Sequence, residues 1–233
     1  DIVAGIPATN EAYAWDTASY ASTMLGIWKI TSELEPMATA QSRVFFAVRN
    51  YPVYFYVNDT GQVGDVFTSA SGSSTNYGFF ANSPADSVQR ILDLWDIEPG
   101  DTIYIDTGFY SNTASIVLGG FDAGSTNVLE GPVIIQGSTN ITGGGTVLDR
   151  MGGPVGIAVT NAGVVELRNL IIRGAQVGVD MGGSRQCSIK WVFVEGGTTG
   201  FRLIGSDYTV LQNCLAKGAR SEGVYALASG LVW

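Results

Sequence analysis

Three consecutive stretches near the C-terminal end repeat with a period of 22 residues, and this repeat restricts the possible folds more than any other feature. They are Val165–Gln186, Cys187–Tyr208 and Thr209–Gly230. Their apolar positions fall in register, with one residue inserted late in the third stretch. Self-similarity at roughly 20–50 residues is typical of solenoids, in which each unit packs only on its neighbours. The sequence therefore predicts stacked units.

The spacing of apolar residues inside each unit indicates short strands separated by corners. Apolar pairs are two residues apart, which is the alternation of a strand with one buried face. A step of three residues at Asn169, Trp191 and Asn213 interrupts the alternation, so we expect the chain to turn there. Asn tolerates the left-handed backbone of a tight corner. Three short strands per unit would form one coil of a parallel β-helix, with adjacent coils about 4.8 Å apart.

This pattern resembles the right-handed parallel β-helix superfamily, which includes pectate lyases and related carbohydrate-active proteins. Gly100–Tyr110 is similar to the opening coil of that family, and the residues before it predict a capping helix at about 84–96. The resemblance covers roughly residues 51–233 and implies an all-β solenoid with a short N-terminal helix. Because the superfamily includes lyases, hydrolases, epimerases, phage tailspikes and non-catalytic surface proteins, the resemblance implies a fold more than an activity.

The first 50 residues differ in character and predict three strands, at Ala12–Thr17, Gly26–Thr31 and Ser42–Val48. They resemble the second half of an immunoglobulin-like module of large bacterial surface proteins. We therefore expect a partial immunoglobulin-like module over residues 1–50 and a β-helix over residues 51–233. Three strands leave one apolar face uncovered, and the last coil stops partway. These incomplete ends predict a piece of a larger protein, completed by neighbouring domains or by self-association.

Composition and charge bear on the partners, the location and the metal sites that can be expected of this chain. The chain of 233 residues has a formal net charge of −9 and no His, so a nucleic-acid partner is not expected. The sequence shows no membrane span, and an acidic chain with 14% charged residues is common among secreted bacterial proteins. We expect a secreted or cell-surface location. Cys187 and Cys214 fall in different inward columns and are expected to be free, small buried side chains. Without His or further Cys, no metal site and no cofactor are predicted.

The predicted outward positions hold most of the charges and supply one ionic candidate. Asp180 and Arg202 would lie on adjacent coils of one column. In pectate lyases, carboxylates bind calcium and an arginine abstracts the proton α to a uronate carboxyl, so the resemblance implies Ca²⁺ only if the chain is such a lyase. Calcium prefers six to eight oxygen ligands, and no second carboxylate neighbours Asp180 in the column. Alternating charge is also what pairing between strands favours. No catalytic residue is assigned.

An apolar outward column is the stronger candidate for a binding surface. Ile171, Phe193 and Leu215 stack in it, with Trp191 at the adjacent corner. An exposed apolar stripe usually marks a surface that something covers. Three explanations remain open: a covering loop or the N-terminal segment, a platform on which sugars such as a polysaccharide stack, and a subunit contact.

The sequence thus favours a non-catalytic structural or adhesive segment of a large secreted or cell-surface bacterial protein, with self-assembly through its incomplete ends as a further expectation. The alternative is a fragment of a carbohydrate-active enzyme, a polysaccharide lyase or glycoside hydrolase acting on acidic polysaccharide. A hydrolase of the inverting kind needs two carboxylates about 6.5–9.5 Å apart, and no outward column places two aspartates at one or two coils' distance.

Overall fold

The computed structural model describes residues 23–42, 46–48, 52–111, 114–120 and 131–230. The chain divides into two compact units, residues 1–51 and 52–233. Strands dominate the described ranges of both units, accompanied by one α-helix and one short 3-10 helix at Ile141–Gly143. Within those ranges no helix has the length and apolar character that crossing a membrane requires.

The described part of the first unit consists of two antiparallel strand pairs. β1 (Thr23–Gly26) pairs with β4 (Phe46–Val48), and β2 (Lys29–Thr31) pairs with β3 (Thr39–Gln41). The strand predicted over Gly26–Thr31 is therefore divided, because β1 ends at Gly26 and β2 begins at Lys29. The predicted strand at Ala12–Thr17 lies outside the described residues, and of Ser42–Val48 only β4 is described as a strand.

The second unit is built from parallel strands that stack in three ladders. The first ladder contains β5 (Tyr54–Val57), β6 (Thr102–Ile105), β9 (Val133–Gly137), the first halves of β12 (Val165–Arg173) and β14 (Ser188–Glu195), and β16 (Val210–Gln212). The second contains β7 (Gly108–Ser111), β10 (Thr146–Asp149), the second halves of β12 and β14, and β17 (Leu215–Lys217). The third contains β8 (Ile116–Leu118), β11 (Val155–Thr160), β13 (Val177–Gly182), β15 (Thr199–Ile204) and β18 (Glu222–Leu227).

The pairing register follows the 22-residue period. Leu167 pairs with Ile189 and Ile189 with Leu211, while Val179 pairs with Phe201 in the third ladder. The side chains of Leu167 and Ile189 are fully buried, and that of Leu211 is partly buried. Equivalent residues of successive repeats are therefore superposed and form an aliphatic core. The stacked parallel sheets are compatible with a β-helix-like fold.

The predicted corners are present, and they divide the two long strands. Asn169, Trp191 and Asn213 have φ values of 54°, 56° and 54°, in the left-handed region. This conformation reverses the alternation, so the residues on either side of each corner contribute to different ladders. Asn adopts it at low cost, whereas for most other residues it costs roughly 1–2 kcal/mol.

The predicted capping helix is present but shorter than expected. α1 spans Val88–Leu94, and Ser87 caps it by accepting a hydrogen bond from the backbone N–H of Arg90. Val88, Ile91 and Leu92 are buried. Trp95 follows directly and packs against Phe55 of β5, with ring centroids 6.5 Å apart. The helix and Trp95 thus bury the apolar core at the β5 end of the stack.

Buried polar groups organise the long loop between β5 and α1, for which the sequence indicated no pattern. The Asp106 carboxylate, fully buried, accepts hydrogen bonds from the backbone N–H groups of Val66, Phe67 and Thr68 at 2.6–2.8 Å. The Asn58 side chain, also buried, donates to Asp65 at 2.7 Å. Val66 and Thr68 lie 40 and 38 residues before Asp106 in the chain, so no local pattern in the sequence reveals the bonds of Asp106.

Candidate functional site

The outward face of the second ladder has a continuous apolar stripe. Ile171, Phe193 and Leu215 occupy one column, as the alternation predicted, and the structure extends it by two earlier layers. We define the apolar stripe as Phe109, Val147, Ile171, Phe193 and Leu215. The two end residues are half-exposed, Phe109 at 50% and Leu215 at 51%, whereas Ile171 and Phe193 are partly buried and Val147 is buried, with 7% exposed. The sequence missed Phe109 and Val147 because the early layers are separated by loops of irregular length.

A column of charges runs beside the stripe on the same face. It lies two residues further along each strand, and we define the charged column as Asp149, Arg173, Glu195 and Lys217. The sign of the charge alternates from each layer to the next. Arg173 and Glu195 form an ion pair, with Nε 2.6 Å from Oε2, and both side chains are about 40% exposed. The face therefore combines an apolar centre with an ordered charge pattern.

Trp191 stands at the corner beside the stripe under backbone strain. Its φ of 56° is close to the 54° of Asn169 and Asn213 in the adjacent layers, but an indole side chain gives Trp no local hydrogen bond that favours this conformation. The side chain is 52% exposed, so burial does not compensate fully for the strain. Strained residues concentrate at sites where the side chain is needed in a particular place. Met151, Gln186, Tyr208 and Ala228 have similar φ values, so it is the exposed indole beside the stripe that makes Trp191 the residue of this face best suited to contact a ligand or partner.

The outward face of the first ladder contains a polar cluster that the sequence analysis did not identify. Glu166 Oε2 lies 2.6 Å from Arg168 Nη2, and Glu166 Oε1 lies 2.6 Å from Lys190 Nζ. The Glu166 side chain is only 7% exposed. Burial raises its pKa, but the hydrogen bonds and charges of Arg168 and Lys190 lower it more, so the pKa lies below its ordinary value. Strand alternation places Glu166 on the same outward face as Arg168, and this was the signal in the sequence that could have identified the cluster.

Tyrosine side chains continue this face toward β5. Tyr56, Tyr104, Gln136 and Arg168 follow one another in the ladder. The rings of Tyr56 and Tyr104 stack with centroids 5.8 Å apart, and Phe67 packs on Tyr104 at 4.8 Å. This arrangement offers aromatic surface and hydrogen-bond donors to a polar ligand, but its charged groups are already bonded to one another.

The ionic candidate of the third ladder is a closed pair. Arg202 Nε donates to Asp180 Oδ1 at 2.8 Å and Nη2 to Oδ2 at 2.5 Å, a bidentate arrangement. The hydrogen bond with Asp180 raises the pKa of Arg202, which disfavours a role in proton abstraction. Ala158 and Tyr225 are the neighbours of the pair in the column. In the described ranges no three His, Cys, Asp or Glu side chains are grouped so that they could hold a metal ion.

The cysteines are both free, and they differ in burial. Cys187 is buried and donates a hydrogen bond to the carbonyl of Gly163 at 3.4 Å. Burial raises the pKa of its thiol to about 11, so it is protonated and unreactive at neutral pH. Cys214 is only partly buried, because its repeat is the last of the described stack.

Comparisons with known proteins assign the chain to no family. No protein-family model, no curated protein and no solved structure matches it. The functional interpretation of the outward faces therefore rests on their own geometry.

Proposed function

We propose that residues 51–233 form a right-handed parallel β-helix that serves as a non-catalytic structural or adhesive element of a large secreted or cell-surface bacterial protein. In this proposal the first unit is part of an immunoglobulin-like module. The supporting observation is that the outward charges form ion pairs with one another. In the described ladders they pair between adjacent layers, as in Asp180–Arg202, Arg173–Glu195 and Glu166–Lys190. Such pairs hold layers together and leave few charged groups for chemistry.

The adhesive role rests on the apolar stripe and on Trp191. A partly exposed apolar band on a sheet is suited to contact with another surface, and aromatic residues contribute most to such contacts. Polysaccharide is one candidate partner, because sugar faces stack on exposed aromatic rings. Trp191→Ala tests this role: retention of the protein by immobilised polysaccharide should fall, while the unfolding transition remains cooperative. Unchanged retention would show that Trp191 takes no part in adhesion.

The competing function is a polysaccharide lyase or hydrolase acting on acidic glycans, with Ca²⁺ needed only by the lyase. Among the described residues, the Asp180–Arg202 pair offers this function a starting point. The test is incubation with acidic polysaccharides and added Ca²⁺, followed by ultraviolet absorbance for unsaturated uronate and by a reducing-end assay. We expect no product. Turnover that disappears in Asp180→Asn would overturn the non-catalytic proposal.

A further inference from the structure

The order of charges beside the apolar stripe has a symmetry property. Read from one layer to the next, the charged column is Asp149, Arg173, Glu195, Lys217, so the signs are minus, plus, minus, plus. A sequence of four alternating signs turns into its opposite when it is read backwards. A copy of the face in reversed order therefore presents a positive charge opposite each negative one.

A two-fold axis parallel to the strands produces this reversal. Rotation by half a turn about an axis that lies along the strands, in the plane of contact, inverts the order of the layers. It leaves each column opposite the same column of the second copy. The stripe then faces the stripe, Asp149 faces Lys217 of the second copy, and Arg173 faces Glu195 of the second copy. Closed two-fold contacts of this self-complementary kind are the commonest in oligomers.

We propose that this face of the second ladder is a self-association surface, and that its partner is a second copy of the chain bound with its layers in reversed order. The proposal goes beyond the proposed function and does not rest on the absence of catalysis. Two independent observations support the proposal. The apolar stripe provides surface that association can bury, and the charged column determines the orientation of the second copy.

The other two-fold orientation lacks this complementarity. An axis along the direction of stacking would keep the order of layers and exchange the two sides of the face. The charged columns would then lie on opposite sides of the contact and meet no opposite charge. Within the described residues, neither Asp149 nor Lys217 takes part in an ion pair of its own chain. The reversed orientation is the one that pairs them.

Trp191 occupies a place in this contact that accounts for its strain. The axis passes between the layers of Ile171 and Phe193, so residues of these two layers exchange positions. Trp191 of one copy therefore lies opposite Asn169 of the second copy at the edge of the stripe. Tryptophan is enriched among the residues that contribute most to association, because its side chain buries a large area.

The size of the face predicts a weak dimer. The two-fold contact superposes the four layers from Val147 to Leu215, which span three steps or about 14 Å at ~4.8 Å per step, and the contact is two columns wide. Such an area lies below the roughly 1,200 Å² of total buried surface of stable interfaces, so association should be reversible and concentration-dependent. Because charges orient it, association should also weaken at high salt.

Complementary charge variants provide the test, with sedimentation equilibrium of the whole 233-residue chain as the measurement. Lys217→Glu alone and Asp149→Lys alone each create two repulsive contacts in the two-fold dimer, so each should raise the dissociation constant at least about tenfold. In an equimolar mixture of the two variants, every contact of the mixed dimer is again attractive. The mixture should associate to within about threefold of the unaltered protein.

Arg220→Glu is the matched control, because it makes the same change of charge in the same repeat but outside the second ladder. It should leave association unchanged. The carboxylate of Asp149 accepts a hydrogen bond from Met151 N–H, so its replacement can impair folding, and circular dichroism checks this. Leu215→Ser then replaces it as the second variant and should weaken association at least about fivefold, because it removes half-exposed apolar area from the stripe, where Leu215 faces Val147 of the second copy. A monomeric unaltered protein at all accessible concentrations, a mixture no better than its components, or equal weakening by Arg220→Glu would each overturn the proposal.

Discussion

At the scale of single residues, the corner beside the apolar stripe needs a left-handed backbone conformation, and its residue also places a side chain at the edge of the stripe. Asn169 and Asn213 meet the backbone requirement of the left-handed corner, and Trp191 at the equivalent position does not. The sequence predicted these corners from the interrupted alternation and from the preference of Asn. It did not predict that Trp191 would adopt the same φ, because tertiary pairing on both sides imposes it.

Trp191→Asn should therefore stabilise the fold. We expect the free energy of unfolding to rise by about 1 kcal/mol, since Asn adopts the left-handed region more easily and the lost indole is half-exposed. Chemical denaturation measures this change. Asn169→Ala is the control, and it should lower the free energy of unfolding by a similar amount. A loss of stability in Trp191→Asn would mean that packing of the indole outweighs the backbone strain.

Glu166 leads to a prediction about pH at the same scale. Its pKa lies below the ordinary value, so its bonds to Arg168 and Lys190 contribute stability above the unfolded-state pKa of about 4.3, and that stability is lost as the pH falls through the lower folded-state pKa. Glu166→Gln should cost about 1–2 kcal/mol at pH 7 and flatten the decline of stability below pH 5.

The control for this pH dependence is Glu195→Gln, which removes a carboxylate from the half-exposed pair with Arg173. It should cost less than about 1 kcal/mol, since water screens that pair. Urea denaturation of the three proteins between pH 3 and pH 7 compares them. Equal costs for the two variants would show that the burial of Glu166 adds nothing.

At the scale of the elements, the sequence predicted strands and their register where the repeat is regular and failed where it is not. β12 to β18 follow the 22-residue period, so their pairing could be anticipated residue by residue. The earlier layers are joined by loops of different lengths, which conceals Phe109 and Val147 as members of the stripe. The loop held by Asp106 also escaped prediction, since its bonds connect distant parts of the chain.

Close packing between the third and second ladders requires a glycine at position 178. A Cβ added at Gly178 of β13 would lie 2.4 Å from Val194 Cγ1 and 2.7 Å from the carbonyl oxygen of Gly200. Gly178→Ala should therefore cost about 2–3 kcal/mol through overpacking. Gly182→Ala in the same strand is the control: a Cβ there meets nothing within 4 Å, so we expect a change within about 0.5 kcal/mol. Thermal unfolding distinguishes them, and similar shifts for both would contradict the described packing.

At the scale of the whole molecule, each described unit is built from pairings of a different kind. The first contains short antiparallel pairs, and the second contains parallel ladders whose layers are related by the repeat. The sequence predicted the parallel stack of the second unit from the 22-residue period, and it predicted strands of a different character in the first 50 residues. It did not anticipate the symmetric charge order beside the stripe, because that order depends on including Asp149 from an irregular layer.

The central claim is that successive repeats lie directly on one another in parallel register, and cysteine cross-linking tests it most directly. Ile204 and Leu227 are paired, half-exposed neighbours on adjacent layers of the third ladder. In a Cys187→Ala, Cys214→Ala background, Ile204→Cys with Leu227→Cys should form an intramolecular disulfide on mild oxidation, because paired strands place their Cα atoms within disulfide range. Ile204→Cys with Ala226→Cys should not, since the two side chains point to opposite faces. Efficient cross-linking of the second pair, or none of the first, would contradict the register on which the stack, the stripe and the charged column all depend.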